Sequence, residues 1–316
     1  MNEHSVAILG VTVPVWIPVT LAAAVFQVWR TALQSRLHAE LSASGASYVR
    51  YIYALPVDVL LLGGAWWSLG RTLPHLPVEL LLFCLLGGLG QIAGTILLLT
   101  AFHLRNFVVG TAYAKTEAAQ LVFISVVVFG MRLPPLAVVG ILVAVVGVLS
   151  LSFAGQRLHW DALIRASLQP AALCGLGAGF AFAVTALALR AASQVLSASS
   201  PVMIRALLVL LVTNTLQTVT QGAYMVWRQP EQLRRSMAAW RRAAPVGALS
   251  ALGSWGWFTG FTLTHPALVR GLGQIEIVFA FLFGHHFLKQ RTRWSEVLAV
   301  LVVLVGVTLI AVADIR

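Results

Sequence analysis

The sequence predicts an all-α polytopic membrane protein, with ten transmembrane helices arranged as two inverted five-helix repeats. Three observations lead there: the composition, the lengths of the apolar runs and an internal repeat. Of the 316 residues, 59% are hydrophobic and only 10% are charged, whereas soluble domains carry about 25% charged residues. So few charges cannot cover the surface of a soluble protein of this length, which indicates that lipid covers much of it.

Ten apolar runs are long enough to cross the hydrocarbon core of a membrane, which takes about 20 residues of helix. The runs are continuously apolar and do not alternate, so helices are expected and not a β-barrel. Short clusters of glycine, proline and arginine separate them. The predicted spans are residues 12–35, 46–67, 78–103, 107–130, 134–154, 170–193, 201–227, 243–264, 266–288 and 294–313.

The net charge of +11 comes almost wholly from arginines, most of them in the short gaps between these runs. Membrane proteins concentrate positive charge in their loops in this way, so we expect no nucleic acid partner. Cys84 and Cys174 lie inside apolar runs and are expected to be small buried side chains. The adjacent His285 and His286 point in different directions on a helix, so neither a metal nor another cofactor is expected.

An internal repeat relates the two halves of the chain. Residues 41–50 match residues 196–205 at an offset of 155, and from residue 88 onward the offset is 159. Each copy contains five spans, so the second copy enters the membrane upside down. Inverted repeats are typical of secondary transporters, which alternate access to a site near the membrane midplane. The predicted organisation is a first repeat at 1–155, a linker at 156–169 and a second repeat at 170–316.

The closing segment of each repeat resembles the end of an EamA domain. Residues 129–134 read FGMRLP and precede AVVGV at 144–148, while LKQR at 288–291 precedes LVGV at 304–307. The EamA pattern is a Gly-Glu-X-X turn before a last helix that ends in Gly-Val. Here Met131 and Gln290 replace the glutamate.

The chain is therefore similar to the drug/metabolite transporter superfamily, with two EamA-like repeats. This resemblance implies a membrane carrier. Members of that superfamily export amino acids, drugs and many other metabolites, so the fold alone leaves the substrate open.

Polar side chains inside the spans are the candidates for the transport site, because such groups are costly within lipid. Gln27, Arg30 and Gln34 follow one another at i, i+3 and i+7, on one helical face. This stripe predicts that the first helix lines a cavity. The alternative is that the Arg30 side chain extends to the membrane interface.

The second span holds an acidic candidate, Asp58, next to Pro56. It lies deep in the span, and we expect it to be buried against a cation. Arg50 and Arg205 match each other under the repeat but lie only about one turn inside their helices. Their charged ends are expected to reach the interface.

Glu117 and Glu276 coincide under the repeat, so the predicted symmetry brings them towards a common axis. Carboxylates inside a membrane often relay protons, and this pair is the candidate for coupling transport to protons. A structural ion pair with a nearby arginine or lysine is the alternative. Lys115 points about 200° away from Glu117 on a regular helix, so only an irregular helix lets both face one cavity. Gln120 can share the face of Glu117.

Five further residues complete the predicted substrate-binding and coupling set. Trp255 and Trp257 lie inside the eighth span, away from the interfacial belts where tryptophan is common. They could wall a substrate site or simply pack. The remaining candidates are Gln91, Arg270 and Gln274.

The leading functional hypothesis is a multi-pass carrier of the bacterial inner membrane, working as a monomer or homodimer. Basic candidates outnumber acidic ones, which favours a zwitterionic or anionic small molecule such as an amino acid. A proton-coupled exporter of lipophilic cations and a lipid-handling protein that transports nothing stay open as alternatives. No pattern typical of an intramembrane enzyme occurs. The arginine-rich loops place both termini outside the cytoplasm, whereas the resemblance implies the reverse.

Overall fold

The computed structural model describes residues 5–8, 11–37, 40–70, 73–103, 113–152, 169–287 and 293–315. The predicted linker lies outside these residues except for its last position, as do Gln290 and the first residues of the fourth predicted span. Helices dominate, so the predicted helical class is confirmed. One difference is a short antiparallel hairpin, Ser5–Ile8 paired with Val11–Pro14, which precedes the first helix.

The helices follow the predicted runs closely. In the first half they are α1 (Trp16–Leu37), α2 (Ala43–Ile52), α3 (Leu55–Ser68), α4 (Val78–His103), α5 (Glu117–Phe123), which a π-helical segment (Ile124–Val128) continues, and α6 (Pro135–Ser152). In the second half they are α7 (Pro170–Gln194), α8 (Val202–Arg228), α9 (Pro230–Ala238), α10 (Trp240–Leu263), α11 (Pro266–Leu272), α12 (Ile275–Phe287) and α13 (Trp294–Ile315).

Seven helical segments of the described chain are long and apolar enough to cross a membrane. They correspond to the first, second, third, fifth, sixth, seventh and tenth predicted spans. The described part of the fourth is a shorter apolar helix, Glu117–Val128. The eighth, α10, is long but less apolar, and the ninth is divided between α11 and α12. A polytopic membrane protein is therefore confirmed, and the count of ten crossings stays a prediction.

The described helices form two compact units, and each unit draws on both halves of the sequence. The first unit comprises residues 1–21, 90–184 and 264–316, and the second unit comprises residues 22–89 and 185–263. The units thus do not follow the predicted division of the sequence into repeats. The repeat boundaries and the inversion stay predictions.

In the first unit, α6 and α13 approach each other at glycines. A Cβ atom on Gly147 would lie 2.7 Å from the backbone nitrogen of Val303 and 3.0 Å from the carbonyl oxygen of Ala299. A Cβ atom on Gly140 would lie 2.8 Å from the carbonyl oxygen of Gly306. Small residues allow such backbone contact between membrane helices. Gly147 and Gly306 are equivalent under the offset of 159.

Two helix breaks in the first unit occupy nearly equivalent positions in the two repeats. A turn at residues 115–116 precedes α5, and a turn at residues 273–274 separates α11 from α12. Under the offset of 159, the two turns differ by one residue. Glu117 directly follows the first break, and Glu276 follows the second break after one residue, Ile275.

In the second unit, α2, α3, α8 and α10 pack together. A small apolar core joins Leu37 and Leu41 to α2 and to the first turns of α10. The second span is broken at Tyr53 and Ala54, and Pro56 lies in the first turn of α3. Proline tolerates that position because the first helical turn needs no backbone donor there. The free Cys84 is buried in this unit, whereas the free Cys174 of the first unit is only partly buried.

Candidate transport site

Four charged side chains of the first unit meet at the two helix breaks. The Lys115 Nζ atom lies 3.1 Å from Glu276 Oε1, and the Arg270 Nε atom lies 2.9 Å from Glu117 Oε1. Glu117 also interacts electrostatically with Lys115 and Glu276. These four residues therefore form one group of two cations and two anions, called here the charge cluster.

The ion pairs of the charge cluster are crossed between the repeats. Lys115 of the predicted first repeat pairs with Glu276 of the predicted second repeat. Arg270 of the predicted second repeat pairs with Glu117 of the predicted first repeat. The four side chains are between 13% and 29% exposed. The ion pairs named above as the alternative to proton coupling are thus present, yet they are not sealed from their surroundings.

The break before α5 explains how Lys115 and Glu117 reach the same cluster. A regular helix would point them in nearly opposite directions. Because residues 115 and 116 form a turn, the helix is irregular at this point. Lys115 and Glu117 can therefore both face the charge cluster. Both glutamates also lie in the first turn of their helices, where the helix dipole favours negative charge.

Three glutamines of the first unit make different hydrogen bonds. Gln274 is only 6% exposed, and its Nε2 atom approaches the Lys115 carbonyl at 3.5 Å. Gln120 instead donates to Thr116 Oγ1 at 2.9 Å and to the Leu176 carbonyl at 3.3 Å, so it holds α5 against α7. Gln91 lies on α4 in the same unit, where its own carbonyl accepts from a threonine of the next turn.

The polar stripe on α1 lies in the second unit. Gln34 donates from Nε2 to the Ala46 carbonyl at 2.7 Å, and Gln27 Oε1 accepts from the Trp257 indole nitrogen at 3.0 Å. Arg30 lies between them and is partly buried. The two glutamines therefore hold α1 to α2 and α10. Cavity lining by this stripe stays a prediction.

The two tryptophans on α10 have different surroundings. Trp257 is 5% exposed, and its ring is stacked on Phe261 with 6.5 Å between the ring centres. Together with its hydrogen bond to Gln27, this contact is typical of a packing residue. Trp255 is partly exposed, so more of its ring can be reached.

Asp58 is completely buried in the second unit, and its observed partner is an amide. Asn214 Nδ2 donates to Asp58 Oδ2 at 2.6 Å. The expectation of a cationic partner is wrong for the described part of the chain, where no ion pair of Asp58 occurs. The physical reason lies in α8, whose buried face is polar but uncharged.

That face of α8 was not among the sequence candidates. Asn214, Gln217 and Gln221 are all buried, with at most 8% exposed. Gln217 donates to the Gly88 carbonyl at 3.2 Å and Gln221 to the Ser44 carbonyl at 3.0 Å, so the three residues bind α3, α4 and α2 in turn. Their spacing is i, i+3 and i+7, as on α1. The same periodicity argument would have identified them.

Arg190, near the end of α7, is a further residue that was not among the sequence candidates. Its guanidinium group donates to the Phe261 carbonyl at 3.0 Å, close to the end of α10. Carbonyl groups in the last turn of a helix have no intrahelical donor, so the arginine satisfies one of them. An ionisable residue inside the sixth predicted span was the available signal.

The Asp58–Asn214 contact supports a stability prediction. Asn214→Ala removes the hydrogen bond donor from a buried carboxylate, and we expect it to lower the free energy of unfolding by about 1–3 kcal/mol. Thr215→Ala, on the exposed side of the same helix, is the matched control and should change little. The measurement is thermal or denaturant unfolding in mild detergent, followed by circular dichroism. Equal effects of the two substitutions would contradict the prediction.

The fold and these side chains define a multi-pass helical membrane protein with paired charges at breaks in its helices. Among the described residues, no group of three or more histidine, cysteine, aspartate or glutamate side chains could hold a metal ion. Residues 169–312 match the model of the EamA-like transporter family. The second half of the chain is similar to this family, which agrees with the resemblance to the drug/metabolite transporter superfamily. A match to this family is typical of a membrane transporter.

A solved structure shares the fold over almost the whole chain. It covers 93% of this chain and 96% of its own, with a TM-score of 0.65 and 16% sequence identity. That structure is a crystal structure of a protein. At this identity the likeness concerns the fold alone. No curated protein matches the sequence.

Proposed function

We propose that the protein is a secondary transporter of small zwitterionic or anionic metabolites, similar to amino acids, and that it works by alternating access. The observation that carries the proposal is the charge cluster with its two crossed ion pairs, Lys115–Glu276 and Arg270–Glu117. Secondary transporters commonly bind substrate where their membrane helices are interrupted, and this cluster lies at two such interruptions.

The cluster matches the charges of a zwitterion. The carboxylate of an amino acid can replace a glutamate as the partner of Lys115 or Arg270, and its ammonium group can replace the cation beside Glu117 or Glu276. Such an exchange keeps every charge paired, which matters because a cation or anion left alone at membrane depth is costly. Partial exposure of all four side chains supports access from their surroundings.

The second unit adds a surplus of positive charge. Its helices carry Arg30, Arg50, Arg190 and Arg205, whereas its buried acid, Asp58, is bound to the neutral Asn214. A net positive charge attracts anions electrostatically, which supports a substrate that carries a carboxylate or another anionic group. The charges of the two units, each considered by itself, support the proposed substrate class.

Proton coupling forms part of the proposal through Glu117 and Glu276. The two glutamates exchange protons as one coupled group, so the loss of one of them removes the response of both. A proton bound by this group neutralises a glutamate and releases its cationic partner. The released Arg270 or Lys115 can then bind an anionic group of the substrate. Proton binding and substrate binding are linked in this scheme because they act on the same ion pairs.

The rival hypothesis, an exporter of lipophilic cations, would use the tryptophans as cation–π partners. The ring of Trp257 is 5% exposed and already stacked on Phe261, which leaves little of its face for a ligand. For Trp257 this observation favours the zwitterion or anion hypothesis, whereas the partly exposed Trp255 offers more of its ring to a cation.

The test is a substrate panel measured as thermal stabilisation of the purified protein, followed by uptake into proteoliposomes. Amino acids or organic acids should raise the unfolding temperature of the native protein. We expect the double variant Lys115→Met/Glu276→Gln to lose this response. The matched control is Glu231→Gln/Arg235→Gln, which removes an exposed ion pair of the same 3.1 Å length and should keep it. A response confined to quaternary cations, or to lipids, would contradict the proposal.

A further inference from the structure

An arginine-rich surface of the second unit connects α8 to α10 and is not used by the proposed transport mechanism. Two tryptophans and five arginines contribute to it. We call it the arginine platform, and its residues are Trp227, Arg228, Arg234, Arg235, Trp240, Arg241 and Arg242. Apart from the ends of α8 and α10, it consists of the short helix α9.

Hydrogen bonds join the platform to the rest of its unit. Gln232 Oε1 accepts a hydrogen bond from the Ser42 backbone nitrogen at 3.0 Å, and the Ser236 carbonyl accepts one from the Tyr53 hydroxyl at 3.2 Å. Ser236 itself is fully buried. These contacts fix the inner face of α9 on α2, and its outer face presents Arg234 and Arg235 as exposed side chains.

The two tryptophans lie at the ends of the platform, and their side chains are largely exposed. Trp227 is 75% exposed and Trp240 is 54% exposed. The guanidinium carbon of Arg228 lies 4.3 Å from the Trp227 ring centre, and that of Arg241 lies 5.3 Å from the Trp240 ring centre. Exposed tryptophan beside arginine is typical of residues at the level of lipid headgroups.

Carboxylates neutralise only part of the platform. Glu231 pairs with Arg235, and Glu40 pairs with Arg242. In the described chain, Arg228, Arg234 and Arg241 take part in no ion pair. Stacking on an indole ring leaves the N–H edge of a guanidinium group available, and that planar edge matches the geometry of a phosphate group.

We propose that the arginine platform binds the phosphate groups of anionic phospholipids at the membrane interface. The tryptophans would lie among the headgroups while the arginines bind the phosphates. A basic segment next to a membrane helix gains about 1 kcal/mol per arginine from anionic lipid, which corresponds to about fivefold in affinity per residue. The inference is independent of the transported substrate, because the platform shares no residue with the charge cluster.

The experiment measures binding of phosphatidylglycerol and phosphatidylcholine to the purified full-length protein in a neutral detergent, by native mass spectrometry. The native protein should prefer phosphatidylglycerol, and added salt should weaken the preference. We expect Arg234→Gln/Arg241→Gln to weaken phosphatidylglycerol binding roughly 25-fold. Arg132→Gln, an exposed arginine of the first unit, is the matched control and should bind as the native protein does.

Three results would overturn the proposal. They are equal affinity for the two lipids, an equal loss in the Arg132→Gln control, and competition by soluble glycerophosphoglycerol at the same concentration as the lipid. The last result would identify a site for free phosphate esters. If the double glutamine variant fails to fold, Arg234→Lys/Arg241→Lys keeps the charge but removes the planar fork. That variant should retain the preference for phosphatidylglycerol at a reduced affinity, and an unchanged affinity would contradict the role of the guanidinium groups.

Discussion

Glu117→Gln is expected to abolish the pH dependence of transport. Glutamine has nearly the size of glutamate but cannot bind and release a proton, so the step proposed for this residue is lost. In the native protein, a coupling free energy of about 1–3 kcal/mol corresponds to an effect of about 5–150-fold. In the variant, the ratio of the transport rates at acidic and alkaline pH should fall to about one. The measurement is uptake into proteoliposomes with an imposed pH gradient. An unchanged response to the gradient would exclude the role.

A second variant separates proton coupling from simple loss of stability. Glu117→Gln alone leaves the Arg270 cation without its carboxylate at 2.9 Å, and breaking a buried ion pair costs on the order of 3 kcal/mol. Glu117→Gln/Arg270→Gln removes both charges and should recover most of that loss. It should still lack pH dependence. If pH dependence returned with stability, the glutamate would have only a structural role.

Gly147→Ala is expected to lower the stability of the first unit. The added methyl group would lie 2.7 Å from the backbone nitrogen of Val303, which is closer than real Cβ contacts. Neither backbone can move aside without separating α6 from α13 along their length. Overpacking of this kind costs about 1–3 kcal/mol. Thermal unfolding in mild detergent measures the effect.

Gly63→Ala provides the matched control for that experiment. Gly63 also lies inside a helix, α3, but a Cβ atom there has no neighbour within 4 Å. Alanine favours helix over glycine by about 1 kcal/mol, so the control should be neutral or slightly stabilising. Gly306→Ala should resemble Gly147→Ala, because the two glycines are equivalent in the repeats. Equal behaviour of Gly147→Ala and Gly63→Ala would refute the backbone contact.

Much of the helical architecture could be predicted from the sequence, because hydropathy and run length depend on local composition. Every predicted run contains helix in the described structure, and the repeat singled out Glu117 and Glu276 as a matched pair. Their partners could not be derived in the same way. Hydropathy indicates which residues lie in lipid, but the choice of Lys115 for one glutamate and Arg270 for the other depends on how distant helices pack.

Asp58 shows a different limit of sequence reasoning. Its depth in the span correctly predicted burial, and the rule that buried charges are paired predicted a cation. The structure supplies Asn214 through a polar stripe on α8 with the same spacing as the stripe on α1. The stripe on α8 contains no ionisable residue, whereas the stripe on α1 contains Arg30, so periodicity was the only signal for the stripe on α8.

The interleaved composition of the two units has a consequence for biosynthesis. Residues 22–89 of the second unit are synthesised before residues 185–263, with which they pack. The first unit likewise cannot be completed until residues 264–316 have been synthesised. Translation proceeds at about 5–20 residues per second, so the gap from residue 89 to residue 185 corresponds to roughly 5–20 seconds. During that interval Asp58 has been inserted before its partner Asn214 exists. Newly made helices of this protein therefore depend on lipid, or on the insertion machinery, to hold a buried acid until the other half of its unit arrives.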